Sequence, residues 1–227
     1  MPSQLLKFAD RKLALAASLD AGDFGGSYGD AILVISALLS FFSSKFWPGK
    51  GIDKVRFVEL WQSFSSTVPC ANQISLPLLL QTLRKNSDTT AVLALEATNP
   101  HAFSGSPEIR TLVISGADVD KEAAVVQSLC PHLSTEYVRK HCYAFLFYEE
   151  VRSGYVHEYS VGASATNWPM SDDDMQVSYS NNTRCPHRRI HFPISWLTKI
   201  TRAIAMAIEP SWYSTPIPQP SQWWLRG

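Results

Sequence analysis

The stretch AILVISALLSFF, residues 31–42, decides the fold. Apolar side chains occupy nearly every side of a helix drawn through it, and two serines are its only polar residues. A helix without a polar face is normally buried. We therefore predict that residues 28–46 form the central helix of the protein. The apolar run itself is too short to span a bilayer.

Helical periodicity continues on both sides of this central helix. Apolar positions recur at helical spacing over residues 4–19, and the glycine-rich stretch AGDFGGSYGD leads from there into the central helix. Further helices are predicted over residues 54–65, 74–85 and 193–208. The pattern indicates a mainly α fold, a helical bundle of one domain.

The domain is expected to cover residues 1–209. Within it, residues 86–131 show short apolar segments that suit either helix or strand, and they are interpreted as an irregular elaboration on the bundle. Residues 210–227 form a tail rich in Pro and Trp that cannot be helical throughout. Its three tryptophans are expected to pack against the body, and a partner-binding tail is the alternative.

Composition limits the classes of partner. Twenty basic and twenty acidic residues cancel, so no global field attracts nucleic acid or a membrane, and any anion site must be local. The N-terminal stretch MPSQLLKFADRK has no apolar core of a secretory signal. Four cysteines lie far apart in the sequence and are interpreted as free thiols. A cytoplasmic protein that does not associate with membranes is expected.

A candidate site lies in EEVRSGYVHEYS, residues 149–160, at the end of a long helix predicted to begin near residue 134. Arg152 and His157 are five residues apart, which on a regular helix places them about 140° apart around the axis. They can act on one atom only if the helix loosens near Gly154 or if two chains each contribute one residue. Tyr155 shares the helical spacing of the apolar residues and is expected to pack inward.

A purely structural explanation of the two residues is also available. Arg152 can pair with Glu149 one turn back on the helix, and His157 can lie near the helix C-terminus, where a cation is favoured.

The segment from Arg152 to Tyr159 resembles the R-x4-6-H motif of the HEPN superfamily, in the R-x4-H-x-Y form found in toxins paired with nucleotidyltransferase antitoxins. The resemblance implies a HEPN-like helical bundle, a homodimer, and metal-independent cleavage of RNA at a site between two protomers. It also implies a toxin or phage-defence effector, with an antitoxin or nucleotidyltransferase as a further partner.

The residue types suit this chemistry. RNA cleavage without a metal needs a proton acceptor for the 2′-hydroxyl and a cation for the phosphorane. The imidazole of His157 is expected to serve as acid or base, and Arg152 is expected to bind phosphate oxygens. Ser153 is expected to orient one of those oxygens, and Tyr159 to position the nucleotide. By the resemblance, Tyr159 is also the target of AMPylation by the antitoxin. No cofactor and no metal are expected.

Ser153 stands where many active members of the superfamily carry Asn, Asp or His. This keeps open a catalytically silent HEPN-like module that binds a nucleotide, RNA or a protein partner.

RNA binding is assigned to a basic cluster formed by Arg184, His187, Arg188 and Arg189. The alternative is a solvated basic loop that balances the acidic run SDDD at residues 171–174. The spacing of Cys185, His187 and His191 suggests a third class of function, a metal-binding helical protein, but a zinc site needs a fourth ligand that the sequence does not provide.

Overall fold

The computed structural model describes residues 3–99, 113–167, 176–182, 185–213, 217 and 219–225. The fold is mainly α, as the sequence pattern predicts. The first helices in chain order are α1 (Gln4–Asp20), α2 (Tyr28–Phe46), α3 (Asp53–Phe64), α4 (Leu76–Lys85), α5 (Thr89–Glu96), the single turn α6 (Gly116–Val119), α7 (Ala123–Leu129) and α8 (Thr135–Arg139). A continuous helix over residues 143–158, the motif helix, and α9 (Ile194–Ile208) follow.

The helix α2 is the centre of the core, with the bounds predicted from the sequence. Its residues Ile32, Ile35 and Phe42 are inaccessible to solvent, and α1, α3 and α9 pack around it. Serine side chains cap the N-termini of two of these helices, Ser3 for α1 and Ser27 for α2. Burial is not complete on every side, however, because Phe41 is 45% exposed and Leu33 and Val34 are half-buried.

By length and composition, the whole helix Tyr28–Phe46 could cross a membrane, although the run of residues 31–42 alone could not. Core helices of soluble proteins can have the same length and composition.

The long helix predicted to begin near residue 134 is interrupted, so that prediction is wrong between α8 and the motif helix. Cys142 has an extended backbone and bridges Ile74, and the amide of Ser75 donates to the carbonyl of His141 at 2.9 Å. Pairing with a neighbouring segment therefore replaces one turn of helix. The motif helix then consists of Tyr143–Leu146, the π-helical segment Phe147–Arg152 and Ser153–Glu158.

Short strands cover one side of the bundle. The strands β2 (Ile114–Ser115), β4 (Ser178–Asn182) and β5 (Cys185–His191) form an antiparallel sheet in the order β2-β4-β5. The strands β1 (Gln73–Ile74) and β3 (Lys121–Glu122) form a second pair. The strands β4 and β5 lie between the motif helix and α9, where no strand was predicted from the sequence.

The region 86–131 and the tail both pack against the bundle where they are described. The stretch that suited either helix or strand is the helix α5, and Leu95 is fully buried. In the tail, Trp212 contacts Phe42 edge-on at 5.7 Å, Trp223 contacts Trp47, and Leu225 is buried. The expected return of the tail tryptophans to the body is thus confirmed.

Candidate functional site

Arg152 faces the middle of α2. Its Nε donates to Ser40 Oγ at 3.1 Å, and its guanidinium carbon lies 4.5 Å from the ring centre of Tyr148. Glu149 pairs with Lys54 at 2.6 Å instead. The structural explanation by a Glu149–Arg152 ion pair is therefore wrong. Among the described residues, no carboxylate forms a salt bridge with Arg152, and its side chain is half-buried.

Ser153 supports the irregular backbone of the motif helix. Its hydroxyl donates to the carbonyl of Tyr148 at 2.9 Å, five residues back. A π-helical turn displaces carbonyls from the regular i to i−4 pattern, and π segments are frequent at functional sites. The hydroxyl oxygen of Ser153 keeps its acceptor capacity, but its proton is engaged in this local bond.

His157 lies in the last turn of the motif helix, and its side chain is exposed. Within the described part of the chain it makes no hydrogen bond or ion pair. Both ring nitrogens are therefore accessible from solvent. The helix near Gly154 stays regular, so the angle of about 140° between Arg152 and His157 is kept within one chain.

Tyr159 ends the motif helix in a left-handed conformation with φ of 52°. Its hydroxyl donates to Asp30 Oδ1 at 2.7 Å, and Ser27 Oγ donates to Asp30 Oδ2 at 2.6 Å. The hydrogen bonds from Ser27 and then Tyr159 lower the pKa of the half-buried Asp30 carboxyl. Tyr159 is thus held at the start of α2.

The positions of Arg152 and Tyr159 along α2 show how far the predicted residues are separated. Arg152 contacts Ser40 and Tyr159 contacts Asp30, ten residues earlier on the same helix. At a rise of about 1.5 Å per residue, the two contact points are roughly 15 Å apart. One chain therefore does not gather the four predicted catalytic residues around one atom.

Tyr155 packs inward, as expected for the residue between the predicted catalytic positions. It is 5% exposed and contacts Tyr28 edge-on at 6.0 Å. Gly29 allows this approach, because a Cβ there would lie 2.6 Å from a ring carbon of Tyr155. The buried tyrosine fixes the rotation of the motif helix against α2.

The basic cluster proposed for RNA binding lies on a strand where it is described. His187 is exposed, whereas Arg188 and Arg189 are half-buried and point to opposite faces of β5. Burial lowers the pKa of Arg188. The interpretation as a solvated loop is wrong for these three residues, and they do not form one continuous basic face. Arg184 and the run 171–174 lie outside the described residues.

The geometry of β5 also argues against a metal site formed by Cys185, His187 and His191. His187 and His191 are four residues apart in β5, a separation of roughly 13 Å at about 3.3 Å per residue. His191 is buried, its Nδ1 lies 3.1 Å from the carbonyl of Thr166, and its ring packs on Tyr28. The side chain of Cys185 is not among those described. In the described part of the chain, no group of three or more potential ligands is placed to hold a metal.

The partners of the motif residues were missed by sequence reasoning. Ser40 and Tyr148 orient Arg152, while Ser27 and Asp30 hold Tyr159. The Ser-x-x-Asp spacing of residues 27–30 is a capping signal that could have located the second pair. No local signal in the sequence marks Ser40 as the partner of Arg152.

Comparisons with known proteins leave the site to be judged on its geometry. No family model matches the chain, and no curated protein or solved structure shows significant similarity to it.

Proposed function

We propose that this protein is a metal-independent endoribonuclease of HEPN type whose active site forms between two copies of the chain. One observation carries the proposal. The motif helix holds an arginine without a carboxylate partner in the described structure and, five residues later, an exposed histidine without a hydrogen bond there. Arg152 is bonded to Ser40 and stacked on Tyr148 but has no carboxylate partner there, which supports a role in binding an anion.

The two residues are assigned different roles in the proposed RNA cleavage. The free imidazole of His157 takes the proton of the ribose 2′-hydroxyl or delivers one to the leaving oxygen. The guanidinium of Arg152 has its Nε on Ser40 and stacks on Tyr148, so its terminal nitrogens are presented in a fixed plane to phosphate oxygens. Tyr159, which is bonded to Asp30, is proposed to contact the nucleotide rather than the scissile bond.

A second copy of the chain is proposed to bring the two side chains close to each other. Because the two residues face different directions on one helix, His157 of one protomer is proposed to approach Arg152 of the other. The remaining partners follow from the resemblance alone: single-stranded RNA as substrate, and a nucleotidyltransferase antitoxin that modifies Tyr159. A role as a toxin or phage-defence effector belongs to the same proposal.

One observation favours the silent binding module as a second candidate. The Ser153 proton is engaged by the Tyr148 carbonyl, so this residue does not supply the free polar group carried by many active superfamily members at that position. A silent module would bind RNA or another partner without cleaving it.

Mixed dimers test the shared site directly. Arg152→Ala and His157→Ala proteins are each expected to be inactive, whereas an equimolar mixture allowed to exchange should recover about one quarter of the wild-type cleavage rate. Random exchange makes about half of the dimers heterodimers, and each of these has one intact site of two. Light scattering verifies the dimer and the exchange.

Failure of the mixture to recover any activity, with exchange demonstrated, would contradict a site shared between protomers. Absence of cleavage by the wild-type protein, together with retained RNA binding, would favour the silent module instead.

A further inference from the structure

The last described part of the tail, residues 219–225, lies against the body without forming a helix or a strand. Its backbone polar groups therefore need partners outside regular secondary structure. Two charged side chains of the body supply them to Trp224. The amide of Trp224 donates to Glu59 Oε2 at 2.5 Å, and its carbonyl accepts from Arg139 Nη1 at 3.0 Å. Both main-chain groups of one tail residue are thus bound by side chains of α3 and α8.

The acceptor for the tail amide is a buried carboxylate. Glu59 is 8% exposed, and its Oε1 accepts from the hydroxyl of Ser63 on the same helix at 2.9 Å. Among the described residues Glu59 forms no salt bridge, and its Oε2 accepts only from the amide of Trp224. A buried carboxylate without a cation is costly unless hydrogen bonds satisfy it. Glu59 therefore requires a donor at the position that the Trp224 amide occupies.

Three consecutive side chains of the tail each have a separate contact. The guanidinium carbon of Arg139 lies 4.4 Å from the ring centre of Trp224, and Trp223 contacts Trp47 edge-on at 5.5 Å. Leu225 is buried in the hydrophobic core. Main-chain hydrogen bonds combined with separate contacts for individual side chains are the means by which proteins bind extended peptides.

The contacts of the tail also carry a cost. Arg139 Nε and the indole nitrogen of Trp224 are buried without a hydrogen-bond partner among the described residues. Each unpaired buried donor lowers stability, and Trp223 and Trp224 remain half-buried. The tail is therefore not the most favourable ligand for this surface, and another segment of similar chemistry can compete with it.

We infer that Glu59, Arg139 and Trp47 form a peptide-binding site, the tail site, which the chain's own tail occupies. The bound segment indicates the ligand class, an extended peptide of a partner protein with two consecutive aromatic residues followed by leucine. Its main chain binds Glu59 and Arg139, and its first aromatic ring contacts Trp47. The inference is independent of RNA cleavage at the motif helix.

Binding of a free peptide to the full chain tests the inference. The probe is a fluorescently labelled peptide of residues 219–225 with blocked ends, and its binding is followed by fluorescence anisotropy. In wild-type protein the attached tail competes at an effective concentration of about millimolar, so the probe should bind weakly. The full-chain variant Trp223→Ala/Trp224→Ala lacks this competitor and should bind the probe at least roughly tenfold more tightly. Equal binding by the two proteins, with circular dichroism showing both folded, would overturn the inference.

Variants of the site itself locate the bound probe. In the Trp223→Ala/Trp224→Ala protein, Arg139→Met removes a cation over the indole and a hydrogen bond, so the Kd of the probe should increase roughly tenfold or more. Arg84→Met is the matched control and should leave the Kd unchanged, because Arg84 is paired with Glu96 and not with the tail. A probe with alanine in place of both tryptophans should not bind to any of these proteins. An unchanged Kd in Arg139→Met would place binding elsewhere and overturn the assignment.

A further measurement keeps the natural tail in place while the protein folds. A protease recognition sequence inserted after Tyr213 allows the tail to be cut from the folded full chain. The labelled probe, added in excess, should then replace the cut tail and comigrate with the protein in gel filtration. Failure of the probe to enter the cut protein would overturn the inference. Unfolding on cutting would overturn it equally, because the tail would then be part of the fold and not a ligand.

Discussion

Arg152 contacts a hydroxyl and an aromatic ring rather than a carboxylate. A planar guanidinium can stack on Tyr148, bond Ser40 through Nε and still present two terminal nitrogens, whereas a lysine ammonium is a single point charge. The geometry of the residue, and not only its charge, therefore matters in the proposed site.

Arg152→Lys is expected to lower kcat/KM for RNA cleavage by on the order of 10²-fold, as for the loss of one oriented donor to a charged transition state. Arg202→Lys is the matched control, because Arg202 forms an exposed ion pair with Asp10. Comparable cleavage by Arg152→Lys and wild-type protein would contradict the fixed-plane role of the guanidinium.

Asp120 is a buried carboxyl that accepts hydrogen bonds from Tyr143, Tyr179 and the amide of Leu76. Burial outweighs these bonds and raises its pKa to about 7. Between its ordinary value, near 4, and 7, the folded protein keeps a proton that the unfolded chain has lost. This group therefore makes the free energy of unfolding decrease as pH rises through that window.

The contribution of Asp120 should reach at most about 1.4 kcal/mol per pH unit. Asp120→Asn should abolish this component, so urea unfolding between pH 4.5 and 7.5 should show a smaller loss of stability with pH in the variant. Identical pH profiles of the two proteins would show that Asp120 does not titrate in this range.

At the scale of elements, the end of the motif helix depends on a close backbone return. A Cβ at Gly154 would lie 2.2 Å from the carbonyl oxygen of Ser160, and the amide of Gly162 donates to the carbonyl of Glu150 at 2.6 Å. The chain therefore folds back over the helix at a position where only glycine fits.

Gly154→Ala should lower the free energy of unfolding by roughly 1–3 kcal/mol, because backbone atoms must move to admit the methyl group. Val156→Ala, at an exposed position of the same helix, is the control and should cost much less. Denaturant unfolding measures both. An alanine tolerated at Gly154 without loss would mean that the return segment does not pack as closely as described.

Sequence periodicity predicted the elements that bury a continuous apolar face. The helix α2 was located to its ends because Ser27 caps it and its apolar run leaves no other arrangement. The interruption at Cys142 was not predictable, because it depends on pairing with Ile74, 68 residues earlier. The strands β4 and β5 were missed because polar and basic residues mask their alternation.

In the candidate site too, features that depend on helical spacing were predictable, whereas contacts between distant parts of the sequence were not. The inward position of Tyr155 followed from helical spacing, and the structure confirms it. The contacts of Arg152 with Ser40 and of Tyr159 with Asp30 span more than one hundred residues of sequence, so local spacing contained no sign of them.

At the scale of the whole molecule, the proposal requires two copies, because a single chain keeps Arg152 and His157 on different sides of one helix. Cleavage is proposed to depend on His157 and on no metal. The measurement is the rate of cleavage of a single-stranded RNA in EDTA by wild-type and His157→Ala protein, with His132→Ala as the control.

His132 is a suitable control because it is also an exposed histidine. It lies before the start of α8 and is paired with Asp88. Wild-type and His132→Ala proteins are expected to cleave at equal rates and to leave a 2′,3′-cyclic phosphate. His157→Ala should be slower by on the order of 10²–10⁴-fold, the loss typical of a general acid or base. Equal rates for wild-type and His157→Ala protein, or no cleavage by any of the three, would contradict the account.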